Sequence, residues 1–251
     1  MARPAPGTGS DWKLSVGELH YVWWYIQGSI MEPDVRLRLR RAWGMCQRHA
    51  WGAVAAEASY RGGYLHGPAI LYEDLLARAL GAFDRAGSRR SPRILAWRLR
   101  DSGPCLMCEM GFHGSARGAF SRERSRAGRD PTAIRTIAAA TRAHWITAVC
   151  GVCSGDCLPP RCRLHLLQEL DGGASVDMAC HRREVAELHS RLSAYARSFQ
   201  WECRDTATDR DRAALLAAVG WCSGWEAGLA LVGDVACPSV TNDGVERERC
   251  L

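Results

Sequence analysis

The chain has 251 residues, of which 47% are apolar and 24% are charged, so it can bury one large or two small hydrophobic cores. Its apolar runs are all shorter than the roughly 18 residues of a membrane span, so we expect no membrane-spanning protein. The net charge of +6 comes almost entirely from arginine, with Lys13 as the single lysine. Arginine is spread along the whole chain, which favours codon bias in a GC-rich genome over a nucleic-acid-binding face.

Helical periodicity dominates the first part of the chain. The aromatic-rich segment 14–31 predicts a buried helix that Pro33 ends. Asp34 is a suitable N-cap for a second helix, because its carboxylate can accept hydrogen bonds from the first turn. A third helix is expected to begin near His49, and a fourth at Pro68, where leucines follow at helical spacing.

The later part of the chain continues this helical pattern. Asp130-Pro131 predicts a helix start, since proline is favoured in the first turn. Apolar residues at helical spacing in 185–199 predict another helix, and Thr208-x-x-Asp211 resembles a capping box for a last one. No segment shows the alternation of a half-buried strand. The predicted fold class is therefore all-α, an irregular helical bundle whose loops are crosslinked by cysteine and histidine ligands of a metal.

Composition divides the chain into four predicted parts. A polar, basic turn separates two helical subdomains, and both chain ends are rich in small, proline or charged residues. The N-terminus lacks the basic and apolar segments of a signal peptide, so we expect a cytoplasmic protein whose thiols stay reduced. The parts are a flexible N-terminus at 1–12, subdomains at 13–87 and 92–232, and a flexible tail at 233–251.

Cysteine pairs are the clearest chemical signal among the 12 cysteines of the sequence. A cysteine and a second cysteine or histidine three positions later can face one cation, and two such pairs complete a tetrahedral zinc site. A helix leads into Cys-x-x-His twice, which indicates a weak internal repeat. The pairs are Cys46-x-x-His49, Cys105-x-x-Cys108, Cys150-x-x-Cys153 and Cys162-x-x-His165.

Two groupings of these pairs compete on spacing alone. In the first, the 105–108 pair joins the 162–165 pair in one site. In the second, the 150–153 pair joins the 162–165 pair across an eight-residue loop, and the 105–108 pair joins the 46–49 pair in another site. An iron–sulfur cluster held by the 150–153 pair, Cys157 and one more cysteine is a less favoured hypothesis, since the spacing does not match known ferredoxins.

Several segments resemble an uncharacterised family of bacterial helical proteins that carries repeated CP-x-C and G-F-C-x-x-H elements. The resemblance rests on 43–51, 69–76, 104–108, 162–167 and the region 199–225. The family implies that a CP-x-C pair and a later C-x-x-H pair belong to one unit, which favours the first grouping. The first-choice metal ligands are therefore Cys105, Cys108, Cys162 and His165, and the second choice is Cys150, Cys153, Cys157, Cys46 and His49.

The chain departs from the family pattern in two places. No CP-x-C element precedes Tyr21, so the resemblance leaves the 46–49 pair without partners from its own unit. The stretch 109–161 is longer than the family implies and adds three cysteines, which could form a diverged or newly gained site.

Three functions are compatible with the sequence. The favoured one is a zinc-stabilised, non-enzymatic regulator or accessory factor that binds a protein or small-molecule partner, with nucleic acid as a weaker alternative. It is favoured because the ligand count is closed and no local catalytic signature is present. The others are a metal-dependent or redox enzyme of a bacterial, biosynthetic pathway, and a protein of metal sensing or delivery.

Overall fold

The computed structural model describes residues 11–88, 91–114, 117, 120–156 and 158–233. Within these ranges all regular secondary structure is helical, which confirms the predicted all-α class. The predicted flexible ends, 1–12 and 233–251, lie almost wholly outside the described residues. No helix in the described ranges combines the length and the apolar character that crossing a bilayer requires.

Seven α-helices form the described chain up to residue 127, with a 3-10 turn between the first two. Most begin at a capping residue or proline, as helix starts require. They are α1 (Val16–Ile26), α2 (Pro33–Arg41), α3 (Gln47–Tyr60), α4 (His66–Ser88), α5 (Pro92–Leu99), α6 (Leu106–Glu109) and α7 (Arg122–Ala127).

The described chain after residue 127 forms seven more α-helices. The longest of them packs against α4 of the first half of the chain. They are α8 (Thr132–Ala140), α9 (Arg142–Trp145), α10 (Gly151–Ser154), α11 (Arg163–Asp171), α12 (Met178–Arg197), α13 (Asp209–Ser223) and α14 (Glu226–Val232).

Helix starts follow the sequence closely, with small shifts. The capping box of Thr208 and Asp211 is confirmed at the start of α13. Asp34 is not the N-cap of α2; that position is Glu32, because Pro33 occupies the first helical position, where its missing N–H is not needed. Helix α4 begins two residues before Pro68, which lies in its first turn.

One hydrophobic core includes side chains from Trp12 to Val232. Helix α4 packs along α12, α13 packs against both, and α3 packs against α1, α8 and α14. Helices from both predicted subdomains, 13–87 and 92–232, thus share this core. Their division into separately folding units stays a prediction.

A tryptophan cluster of Trp51, Trp145 and Trp225 lies in this core. The ring of Trp225 lies 5.6 Å from that of Trp51 and 5.9 Å from that of Trp145, measured between centroids. Glycines make room for it, since a Cβ atom on Gly220 would lie 2.0 Å from the Trp225 ring. Through these contacts α3 is held against α14, and the first turn of α3 is fixed in position.

Candidate metal centres

All four cysteine pairs have the same local construction. The first cysteine of each pair is the N-cap of a helix, and the second ligand is the third residue of that helix. An N-cap side chain and the side chain at this third position converge over the first turn, as in a capping box. The four N-caps are Cys46 of α3, Cys105 of α6, Cys150 of α10 and Cys162 of α11.

The first centre brings together Cys46, His49, Cys105 and Cys108, whose ligand atoms all lie within 4.8 Å of one another. His49 Nδ1 lies 3.3 Å from the sulfur of Cys46 and 3.5 Å from each of the other two sulfurs. The sulfurs of Cys46 and Cys108 are 3.9 Å apart. His49 is buried, whereas Cys46 and Cys108 are exposed, so this centre lies at the surface end of α3.

The second centre brings together Cys150, Cys153, Cys162 and His165 within the same 4.8 Å limit. His165 Nδ1 lies 3.3 Å from the sulfurs of Cys150 and Cys162 and 3.4 Å from that of Cys153. The sulfurs of Cys153 and Cys162 are 3.9 Å apart. Cys150 and Cys162 are buried, so this centre is the more enclosed of the two.

These distances fit one tetrahedral ion in each centre. Zinc with thiolates at about 2.3 Å and imidazole at about 2.0 Å requires sulfur–sulfur edges of about 3.8 Å and sulfur–nitrogen edges of about 3.5 Å. The structure gives 3.9 Å for one sulfur–sulfur edge in each centre. The sulfur–nitrogen edges are 3.3–3.5 Å in the first centre and 3.3–3.4 Å in the second. All six cysteines are free thiols. Each centre can therefore hold a metal ion through three sulfurs and one nitrogen.

The structure groups the pairs in the second of the two ways that spacing allowed. Cys105 and Cys108 lie with Cys46 and His49, not with the 162–165 pair, so the first-choice grouping is corrected. The physical reason is the path of the chain after α5. The backbone N–H of Ser102 donates to the carbonyl of Arg41 at 2.8 Å, which returns this segment to the end of α2.

The 150–153 pair reaches the 162–165 pair through a short, closed loop. The N–H of Gly151 donates to the carbonyl of Pro160 at 3.1 Å. A Cβ atom on Gly151 would lie 1.8 Å from the carbonyl oxygen of Leu158, so only glycine allows this approach. Cys157, the third cysteine of the iron–sulfur hypothesis, lies outside the described residues.

Electrostatics within each centre favour a bound cation. Hydrogen bonds from the neighbouring thiols Cys108 and Cys46 lower the pKa of Cys105 well below its ordinary value. Hydrogen bonds with Cys105 and Cys108, together with burial, raise the pKa of Cys46 well above it. A divalent ion favours the ionised form of the thiols that coordinate it, so binding of a metal would release protons from this centre.

The second centre shows the same division of charge. Hydrogen bonds from Cys153 and Cys162 lower the pKa of the Cys150 thiol, and hydrogen bonding to Cys150 and Cys162 raises that of Cys153. Hydrogen bonding to Cys150 also raises the pKa of Cys162 to about 11. Both centres are thus built to supply thiolates when a cation is present.

A buried carboxylate orients the histidine of the first centre. Glu18 Oε1 lies 2.8 Å from His49 Nε2, and Glu18 has no solvent exposure. With Nε2 donating to this carboxylate, Nδ1 keeps its lone pair for a metal, the arrangement found around many metal-bound histidines. Arg48 pairs with Glu18 as well, through Nη2 at 2.9 Å.

The charge of Glu18 is strongly favoured in this position. Burial alone would raise its pKa, but hydrogen bonds from His49, Arg48 and Ser15 outweigh burial and hold the pKa well below its usual range. Sequence reasoning missed Glu18. The available signal was Ser15-x-x-Glu18, a capping box that the structure shows at the start of α1.

His165 has no comparable support, since no described residue forms a hydrogen bond with its Nε2 atom.

Two further buried cysteines of the described chain lie outside both centres. Cys222 is a buried thiol at the end of α13, and burial raises its pKa to about 12. Cys180 is buried at the start of α12 and is disulfide-bonded.

No protein-family model, no curated protein and no solved structure matches the chain. The resemblance to bacterial helical proteins with CP-x-C and C-x-x-H elements therefore stays a prediction. Fold and site geometry alone define the molecule at this point: an all-helical protein with two Cys₃His clusters suited to metal ions.

Proposed function

We propose that the chain binds two zinc ions in structural sites and acts as a non-enzymatic regulator or accessory factor that binds a partner. The observation that carries this proposal is the closed ligand set of each centre, with three sulfurs and one nitrogen within 4.8 Å. Structural zinc sites have four protein ligands, whereas catalytic ones keep a position open for water. Thiolate and imidazole ligands favour zinc over magnesium or calcium, which prefer oxygen.

Each ion would crosslink two segments of the chain. In the first centre the α6 segment would be fixed to the start of α3, and in the second the loop before α11 would be closed. Structural zinc in finger peptides binds with roughly 10–16 kcal/mol, which is comparable with the whole folding free energy of a domain. The metal therefore contributes a decisive share of stability.

The compartment, the family and the partner are the remaining parts of the proposal. They are supported by the chemistry of the ligands and by the sequence resemblance. The cytoplasmic compartment is proposed because the six ligand cysteines are free thiols, although Cys180 is disulfide-bonded. Two centres of the same construction support membership of the bacterial helical family with repeated cysteine and histidine elements. A protein or small-molecule partner is proposed because the closed ligand sets assign no chemical step to either ion.

Metal analysis tests the proposal directly. Purified protein should contain two zinc ions per chain, and Cys46→Ser and Cys162→Ser should each lose one. The matched control is Cys203→Ser, since Cys203 is a partly buried thiol outside both centres. Cobalt-substituted protein should show a tetrahedral, thiolate-rich spectrum that added small anions do not change.

Three results would contradict the proposal. A chain that stays fully folded after chelation would show that the ions are not structural. A cobalt spectrum that shifts with added anions would reveal an exchangeable water, and would favour the enzyme hypothesis. More than two metal ions per chain would instead support metal sensing or delivery.

A further inference from the structure

An arginine-rich cavity lies away from both metal centres. It has a volume of about 560 Å³, within the range of small-molecule sites, and it lies between the second half of α4 and the end of α5. Its charged lining consists of five arginines and one aspartate. These residues are Arg40, Arg78, Arg85, Arg98, Arg100 and Asp101.

The positive charge of this arginine cavity is only partly neutralised. Its one lining carboxylate, Asp101, is paired with buried Arg163 at 3.0 Å, and Arg163 is not part of the lining. Neither Arg78 nor Arg98 has a carboxylate partner among the described residues. The Nε atom of Arg98 is buried and has no hydrogen-bond partner.

Two other lining arginines have partners outside the cavity. Arg40 pairs with Asp74 at 3.2 Å, and Arg100 pairs with Asp171 at 2.5 Å. Both pairs leave further N–H donors on the two guanidinium groups, since a guanidinium has five. The cavity thus combines several hydrogen-bond donors with excess positive charge.

Arg78 is fixed in place before any ligand binds. Its guanidinium lies 3.9 Å from the centroid of the Trp43 ring and also donates to the carbonyl of Arg40. Burial, followed by the positive charges of Arg163 and Arg40, lowers the pKa of Arg78 to about 10. An anion in the cavity would relieve this repulsion.

The cavity also offers an aromatic surface. Trp97, in α5, is 68% exposed, an unusual state for so large an apolar side chain, and it belongs to the lining. The guanidinium of Arg98 lies 5.3 Å from the centroid of this ring. Aromatic rings next to arginines bind nucleobases by stacking.

We propose that the arginine cavity binds a nucleotide, with the arginines on its phosphates and Trp97 on its base. Arginine suits phosphate because its planar fork donates two parallel hydrogen bonds to the phosphate oxygens. Inorganic phosphate alone would leave the exposed ring beside the arginines without a contact. This inference does not depend on the function proposed for the metal centres.

Calorimetric titration of the zinc-loaded full chain with ATP and with inorganic pyrophosphate tests the inference. ATP should bind more tightly than pyrophosphate, by roughly 5- to 100-fold if one base stacks. Trp97→Ala should weaken ATP by that factor and leave pyrophosphate unchanged. Arg98→Gln should weaken both, by about 10-fold.

The control is Arg212→Gln, because Arg212 is exposed, pairs with Asp209 and lies outside the cavity. Zinc content and helical circular dichroism should equal those of the wild type for every variant. Trp97 is largely exposed, so its replacement leaves the core intact.

The inference would be overturned if ATP did not bind at millimolar concentration, if none of the cavity variants weakened its binding, or if pyrophosphate bound as tightly as ATP. Tighter binding of a short single-stranded oligothymidylate, lost in Trp97→Ala, would assign the cavity to nucleic acid and so reject the nucleotide.

Discussion

Replacing Glu18 by glutamine should lower the metal affinity of the first centre alone. Glu18 is fully buried and accepts hydrogen bonds from His49, Arg48 and the backbone N–H of Ser15. Glutamine has the same size, but one of its two oxygens becomes an NH₂ donor. At least one of the three donors then loses its acceptor, and the negative charge that favours the correct histidine tautomer is lost.

The expected loss follows from the role of such supporting residues. Removing a hydrogen-bond partner of a metal-bound histidine typically lowers metal affinity by about 10- to 100-fold, which is about 1.4–2.7 kcal/mol. We expect the upper half of this range, since Glu18 and His49 are both buried and water cannot replace the lost contact. The second centre should keep its affinity.

A competition assay with a chromophoric zinc chelator can measure both centres in one titration. Asp211→Asn is the matched control, because Asp211 completes the same kind of capping box at the start of α13 and its partners, Thr208 and Arg191, are not metal ligands. It should lower stability without changing zinc affinity. Equal zinc loss in the two variants, or loss at both centres in Glu18→Gln, would refute the role assigned to Glu18.

Two further predictions concern the core. Burial raises the pKa of Glu57 from 4.5 to about 7. The folded chain therefore holds a proton on Glu57 that the unfolded chain releases. The stability that this proton contributes is lost as pH rises from about 4.5 to 7. Glu57→Gln should therefore gain stability relative to wild type between pH 5 and 8, on the order of 3 kcal/mol in urea denaturation, and a gain independent of pH would contradict this. Gly220→Ala should destabilise by about 1–3 kcal/mol, since its Cβ would meet the Trp225 ring, whereas Gly87→Ala, with open space around it, should not destabilise.

Local features of this protein could be predicted from the sequence, because short-range chemistry determines them. The capping box at Thr208 and the four Cys-x-x-Cys or Cys-x-x-His pairs lie where the spacing indicates. Helix α1 ends five residues earlier than the predicted 14–31 segment, since Gly28 takes a positive φ of 153° after it. Such an end depends on one backbone angle, which apolar periodicity does not reveal.

The partners of each pair could not be predicted from spacing. Whether Cys105 meets His49 or His165 depends on where α5 directs the chain, and that is decided by tertiary contacts such as the one between Ser102 and Arg41. The family resemblance favoured the other grouping. Glu18 was missed for a similar reason, because its contact with His49 joins residues 31 positions apart.

The two centres differ in how much chain each must close. In the second, the contacting ligands are 3–15 positions apart, so a short segment can capture an ion before the rest of the chain is folded. In the first, contacts join residues 56–62 positions apart, which requires α4 and α5 to be in place. Since closing a longer loop has a larger entropic barrier, metal loading should be sequential during refolding, with the second centre filled first. The ion of the first centre would then bind last, when the helical bundle is already assembled. The rate of its uptake would report the rate of folding itself.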